Sequence, residues 1–334
     1  MLAVDCSGRE WPRHPPAGNT GRAMRHHLSV SDIPSSASSS GKTWPVGPDF
    51  PLRTLSQALR AAQAGDTLVL QAGTYAGDTG VVTQPGLTLR GLGAGATLAA
   101  QGRHAEGKAI LVVRAPGVRL ENLEFRGARV PSGNGAGIRF EAGSLWLDRC
   151  RFFDNEMGLL SAGRSEMQLV VHDCDFGEAP RHDSGQLHHL LYVGAIDSCV
   201  VMHSRFGNGW QGHLLKSRAR MNRILWNEFV DGPEGQASYE LEFPNGGDNL
   251  VLGNRIEQSA RTQNPAMLSM GAEAAGRTGG PLVLRDNRFV NHHPGSAEAP
   301  ARFVHVWHER MTGPVEVMAS GNVFEGPGLR GVPE

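Results

Sequence analysis

Eight segments of this chain close on the same short pattern, a landmark residue followed two positions later by Phe or Ile. They read Leu123-Glu-Phe125, Cys150-Arg-Phe152, Cys174-Asp-Phe176, Ser204-Arg-Phe206, Asn227-Glu-Phe229, Asn254-Arg-Ile256, Asn287-Arg-Phe289 and Asn322-Val-Phe324. The steps between them are 27, 24, 30, 23, 27, 33 and 35 residues. A drifting period in this range marks a repeat architecture, in which each unit buries its apolar face only against its neighbours. Within each unit lie two or three short runs of Val, Ile, Leu and Phe separated by Gly, Asn and Asp, with no helical period between them. Strands without crossover helices argue against a βαβ sheet. They fit one turn of chain per repeat, stacking like on like, which is an all-β parallel β-helix. The positions Ser204, Asn227, Asn254, Asn287 and Asn322 then form an expected ladder. Each Asn at a bend bonds its own turn and the amide of the next coil.

The 44 glycines and 20 prolines suit many tight turns, and 40% hydrophobic residues suffice for a continuous core. A formal net charge of -1 lacks the basic excess of a nucleic-acid binder, so no nucleic acid is expected as partner. No apolar run approaches the roughly 18 residues of a membrane span. Of the four cysteines, Cys150 and Cys174 take the landmark position of consecutive coils and read as a free, stacked core pair, while Cys6 and Cys199 suggest no metal spacing.

Residues 1–45 have no apolar period and end in a Ser-rich run, so they read as a disordered, leader or linker segment before a single domain over 46–334. They lack the apolar centre of a secretory signal. Thr54 to Ala64 places Leu55, Ala58, Leu59 and Ala62 on one face and predicts a helix, with Thr54 as N-cap and Gly65 as its stop. An apolar strand is expected over Gly65 to Tyr75. This helix, followed by Gly65-Asp-Thr, the strand and Ala72-Gly-Thr-Tyr75, looks like the N-terminal cap and first coil of right-handed parallel β-helix proteins of the pectate-lyase-like superfamily. The resemblance covers Phe50 to about Phe324. It implies a right-handed helix of coils, an extracytoplasmic (periplasmic or secreted) setting and a carbohydrate partner.

Two long inserts, Gly177 to Gln186 and Gly271 to Gly280, are expected to line a binding face. Near them, the strands His188 to Gly194, Gly212 to Arg218 and Ser238 to Pro244 fall on successive coils. With period-two alternation, Tyr239, Leu241 and Phe243 point one way and Glu240 and Glu242 the other, and the cost of burying carboxylates turns the glutamates outward. That register aligns Tyr192, Lys216 and Glu242, adds His188 and Arg218 to the outer face, and sends His189 and His213 inward. Lys216 is one of only three lysines, with Lys42 and Lys108. Elsewhere the chain uses Arg, which cannot give up its proton as Lys can.

Lys216, Arg218, Tyr192 and His188 suit β-elimination from a uronic-acid polysaccharide. Arg218, or a Ca²⁺ held by Glu240, Glu242 and Asp248, neutralises the sugar carboxylate. Lys216 takes the adjacent proton, and Tyr192 or His188 protonates the leaving oxygen. Tyr239, Asn245 and Trp210 are expected to contact the sugar, with Trp307 and His308 as further stacking candidates. The stretch Gly212-His-Leu-Leu-Lys-Ser217 resembles the lysine-bearing coil of the chondroitinase B and alginate lyase family, whose catalytic base falls on Lys216. The next coil carries Glu242 where that family has an Arg. Two other readings remain open: a glycoside hydrolase using Glu240 and Glu242, whose Cα atoms are about 6.6 Å apart on a strand, or a non-catalytic carbohydrate-binding scaffold. The expected partner is an acidic polysaccharide or oligosaccharide, and the protein is expected to be a monomer.

Overall fold

The structure is a computed structural model and describes residues 41–332. Residues 1–40, with Cys6, lie outside the described residues. Apart from the first two, consecutive strands do not pair with one another. Each goes to a different one of three parallel sheets, of eleven, nine and ten strands, and pairs there with the strand one coil away. Thus Ser144–Asp148, Gln168–His172, Ser198–Met202, Met221–Leu225 and Asp248–Leu252 are neighbours in the eleven-stranded sheet. One turn of chain visits all three sheets and returns one strand spacing, about 4.8 Å, further along. This is the right-handed parallel β-helix expected from the repeat.

The landmark pattern is the corner leading into the ten-stranded sheet. Phe125, Phe152, Phe176, Phe206 and Phe229 stack with ring centroids 4.4 to 5.2 Å apart. Beside them Asn227 Nδ2 donates to Asn254 Oδ1 at 3.0 Å, Asn254 Nδ2 to Asn287 Oδ1 at 2.9 Å, and Asn287 Nδ2 to Asn322 Oδ1 at 2.9 Å. Ser204 and Cys174 extend the ladder, Cys174 Sγ accepting from the Cys150 amide at 3.3 Å. Cys150, Cys174 and Cys199 are free and buried. The residue just before each ladder position has a left-handed backbone, with φ of 54° at Asn122, 50° at Arg149, 52° at His203, 54° at Trp226 and 69° at Gly253.

Thr54 caps the helix Leu55–Ala61 by accepting from the Gln57 amide at 3.1 Å, and Asp78 adds a bond to the Ser56 amide at 3.0 Å. The helix stops at Ala62, not at Gly65. There Gln84 Nε2 takes the carbonyls of Leu59 and Ala62. The stretch expected as one strand is two, Thr67–Leu70 and Gly73–Ala76, in different sheets. The sequence boundary at 45 also shifts, because Thr43–Val46 is a strand paired with Thr67–Leu70.

The nine-stranded sheet carries the feature that sets the candidate site. Where the chain enters this sheet, two consecutive residues face the core: Ile110 and Leu111, Leu190 and Leu191, Leu214 and Leu215, Met267 and Leu268, Phe303 and Val304. At Leu190, Leu214 and Glu240 the first of the pair lies at a bend and the second starts the strand, whereas Ile110, Met267 and Phe303 already lie within their strands. In the coil between, the pair is Glu240 and Leu241. Strict alternation is therefore broken once per coil, and the outer face holds a row on either side of the doublet.

Candidate active site

The row after the doublet runs Leu160, Tyr192, Lys216, Glu242, Ser269, His305, each opposite the next across the parallel ladder. The row before it brings His189, His213 and Tyr239 to the same surface. Tyr239 is half-buried with its ring edge-on to His213, centroids 5.2 Å apart, and does not join Leu241 and Phe243 in the core. His189 and His213, expected inside, form the floor of the site instead. Glu240, expected outside, is fully buried because it is the first residue of the doublet.

Lys216 is 8% exposed. Its Nζ lies 3.0 Å from Glu242 Oε2 and 2.7 Å from Glu273 Oε1. The same Glu242 oxygen is 2.7 Å from His213 Nε2. A carboxylate only accepts, so His213 carries its proton on Nε2, and its Nδ1 is buried without a partner. His189 Nδ1 accepts from the His213 amide at 2.9 Å, which leaves its proton on Nε2 as well. Burial, reinforced by His213 and Lys216, pushes the His189 pKa well below the usual imidazole range. Burial also lowers that of His213, against the pull of Glu242. Both rings are neutral near pH 7. Burial tends to raise Glu242, but its bonds from His213 and Lys216 prevail and hold it below the usual carboxylate range. Glu273 follows the same logic through Lys216 and Arg218.

Arg218 follows the strand Leu215–Ser217, and each of its three nitrogens has a partner. Nε donates to Tyr192 Oη at 3.0 Å, Nη1 to Asn245 Oδ1 at 2.9 Å and Nη2 to Glu273 Oε2 at 2.5 Å. The structure thus brings together Tyr192, Lys216, Arg218, Glu242, Asn245 and Tyr239 from the sequence reading, and adds His189, His213 and Glu273. Toward the C-terminal end of the row, Ser269 accepts from Trp307 Nε1 at 3.2 Å, and the Trp307 ring lies between His305 and the Arg310 guanidinium, each 4.1 Å away. His308 is exposed beside it.

The remaining expected residues fall elsewhere. His188 is buried and faces the insert after Gly177, with Nδ1 donating to the Pro180 carbonyl at 2.9 Å and Nε2 accepting from Ser184 Oγ at 2.7 Å. Trp210 packs against the core under Arg181, 5.7 Å away. Asp248 starts a strand of the eleven-stranded sheet and pairs with Arg223 at 3.0 Å. Glu240, Glu242 and Asp248 therefore do not converge, one being in the core, one bonded to His213 and Lys216, and one on another sheet. The expected calcium set does not fit this geometry. Among the described residues no group of three or more His, Cys, Asp or Glu side chains is placed to hold a metal ion. The glutamate pair of the hydrolase reading is separated for the same reason.

No family model matches the chain, and no curated protein matches it. Among solved structures, a mutant of the PL6 family alginate lyase AlyGC is similar with a TM-score of 0.51 and 16% identity, over 87% of this chain. This chain spans 40% of the length of that one. An alginate lyase from Paenibacillus sp. str. FPU-7 aligns with a TM-score of 0.39 and 13% identity, over 86% of this chain and 98% of that one. The GH136 lacto-N-biosidase from Eubacterium ramulus gives 0.39 and 12%, over 85% and 68%. At these identities the likeness to AlyGC is one of fold.

Proposed function

We propose that the protein cleaves a uronic-acid polysaccharide by β-elimination on the outer face of the nine-stranded sheet. The observation that carries this is the pairing of Lys216 with Arg218, two cations from one strand end, beside the phenol of Tyr192. Arg218 binds the sugar carboxylate and offsets the charge that develops on it as the neighbouring C–H bond breaks. Lys216, as the free amine, takes that proton. Its own ammonium proton is released to solvent before the step, and Glu242, 3.0 Å away, stays ionised. Tyr192 Oη protonates the departing glycosidic oxygen, so one C–H and one C–O bond break and a C=C bond forms. Such a polymer is met outside the cytoplasm, so export belongs to the proposal.

Hydrolysis has a replacement pair in Glu242 and Glu273, both on Lys216 Nζ and so at most about 5.7 Å apart, near the separation in retaining glycosidases. That chemistry needs one carboxyl kept protonated as the acid. Both are held below their usual range, which favours elimination.

The test is incubation with alginate, chondroitin, dermatan and pectate, with and without Ca²⁺, following ultraviolet absorbance of unsaturated uronates beside reducing ends. We expect absorbance from the native protein and its loss in Lys216→Ala. Reducing ends without absorbance would mean hydrolysis, and silence in both would leave a binding scaffold.

A further inference from the structure

We propose that Glu273 occupies the subsite for the substrate's carboxylate, so that the resting site is closed by an anion of its own chain and opens to a ligand whose carboxylate displaces it. This rests on the uronate reading and names the group that the site selects.

Glu273 bridges the two cations, with Oε1 on Lys216 and Oε2 on Arg218. It approaches from the solvent side. Its side chain is 46% exposed while those of Lys216 and Arg218 are 10% and 21% exposed. The cations do not depend on it for their placement. Arg218 is still held by Tyr192 and Asn245, and Lys216 by Glu242, so a preformed receptor stays behind when the side chain swings away. Charge adds to this. With Glu273 in place, Lys216 and Arg218 face two carboxylates, and an incoming anion meets no net attraction. Without it one positive charge is unmatched.

The connection that carries Glu273 is more than the solenoid needs. The coils before it pass from the nine-stranded to the eleven-stranded sheet through residues 194–197, 218–220 and 244–247, whereas this coil uses 271–281. The extra chain is anchored, with the Glu273 amide on the Pro244 carbonyl at 2.9 Å and the Gly276 amide on Arg310 at 3.0 Å. Gly271 turns it at φ 87°, where an added Cβ would come within 2.6 Å of the Met311 methyl. Release is thus a side-chain rotation from a fixed backbone.

Calorimetric titration of the native protein, Glu273→Gln and Glu273→Gln with Lys216→Ala tests the assignment. The probes are inorganic sulfate, a tri-uronate saccharide and a neutral trisaccharide. Because occupancy by Glu273 reduces the competent fraction, Glu273→Gln should bind sulfate and the tri-uronate about tenfold or more tightly. The neutral sugar should be unaffected, and the second substitution should remove the gain. Equal or weaker binding of both anions by Glu273→Gln would overturn the assignment. A gain for sulfate with no tri-uronate binding by any form would keep the anion subsite and sink the uronate reading. Tri-uronate binding by the native protein that Glu273→Gln weakens would do the reverse.

Discussion

Glu240 is a carboxyl where neighbouring coils hold Leu190, Leu214, Met267 and Phe303. Neither of its oxygens has a hydrogen-bond partner, and burial, reinforced by Asp231, pushes its pKa well above the usual carboxylate range. Burial also raises Asp231, to about 6, against the Ala237 and Gly209 amides that it accepts from. Both folded values exceed the unfolded ones of 4.5 and 3.8. Their contribution is therefore full below the unfolded values and is lost as pH rises through 6 and beyond. Glu240→Met should stabilise the protein by about 1 to 3 kcal/mol near pH 7, from relief of an unpartnered buried polar group, and should flatten the decline. Urea unfolding between pH 4 and 8 measures this, and a variant no more stable at pH 8 would disprove it. Placing Glu240 outward followed from a sound rule, that buried carboxylates are expensive. The rule constrains the charged form, and this chain buries the neutral acid. Period-two reasoning gave the parity of Lys216 and Glu242 but not the doublet before them, so His213 was assigned to the core and Tyr239, though named as a sugar contact, was turned to the inner face with Leu241 and Phe243.

At the scale of the element, the corner ladder explains why the coils stay in register. Asn254 Oδ1 accepts both the amide and Nδ2 of Asn227, while its Nδ2 serves Ile224 and Asn287. Asn254→Leu strands those buried donors and should cost about 1 to 3 kcal/mol, read from the thermal or urea midpoint; an unchanged midpoint would show that the ladder carries no stability. This ladder was legible because one residue type recurs beside a Phe. The left-handed residue that precedes each rung was not. Gly253 and Gly321, and less strongly Asn122, Asp173, His203 and Asp286, are types that accept this conformation, but Arg149 and Trp226 are not, and such types are too common along the chain to single out one turn. Glu273 was out of reach too, since its insert has no period to set a register. What pointed toward it was the insert's length.

Across the whole molecule the strands of each coil pair only with those of the coils beside it, so protection should fall toward the unbacked end. Val317–Ser320 and Val323–Glu325 have a neighbour on one side and a largely exposed face. Hydrogen exchange followed by mass spectrometry should release their amides well before those of Leu191–Val193 or Leu241–Phe243. Uniform exchange along the chain would argue for a single cooperative block. The outer row through Tyr192, Lys216, Glu242, Ser269 and His305 has a further consequence. Its rungs are set by backbone hydrogen bonding, about 4.8 Å each, and no side chain can alter that pitch. The surface therefore works as a ruler whose divisions are fixed by the peptide unit. On the proposed function, a sugar polymer laid along it would be measured against the solenoid's own repeat, and adding or removing a coil would change the length that is read while leaving Lys216 and Arg218 where they are.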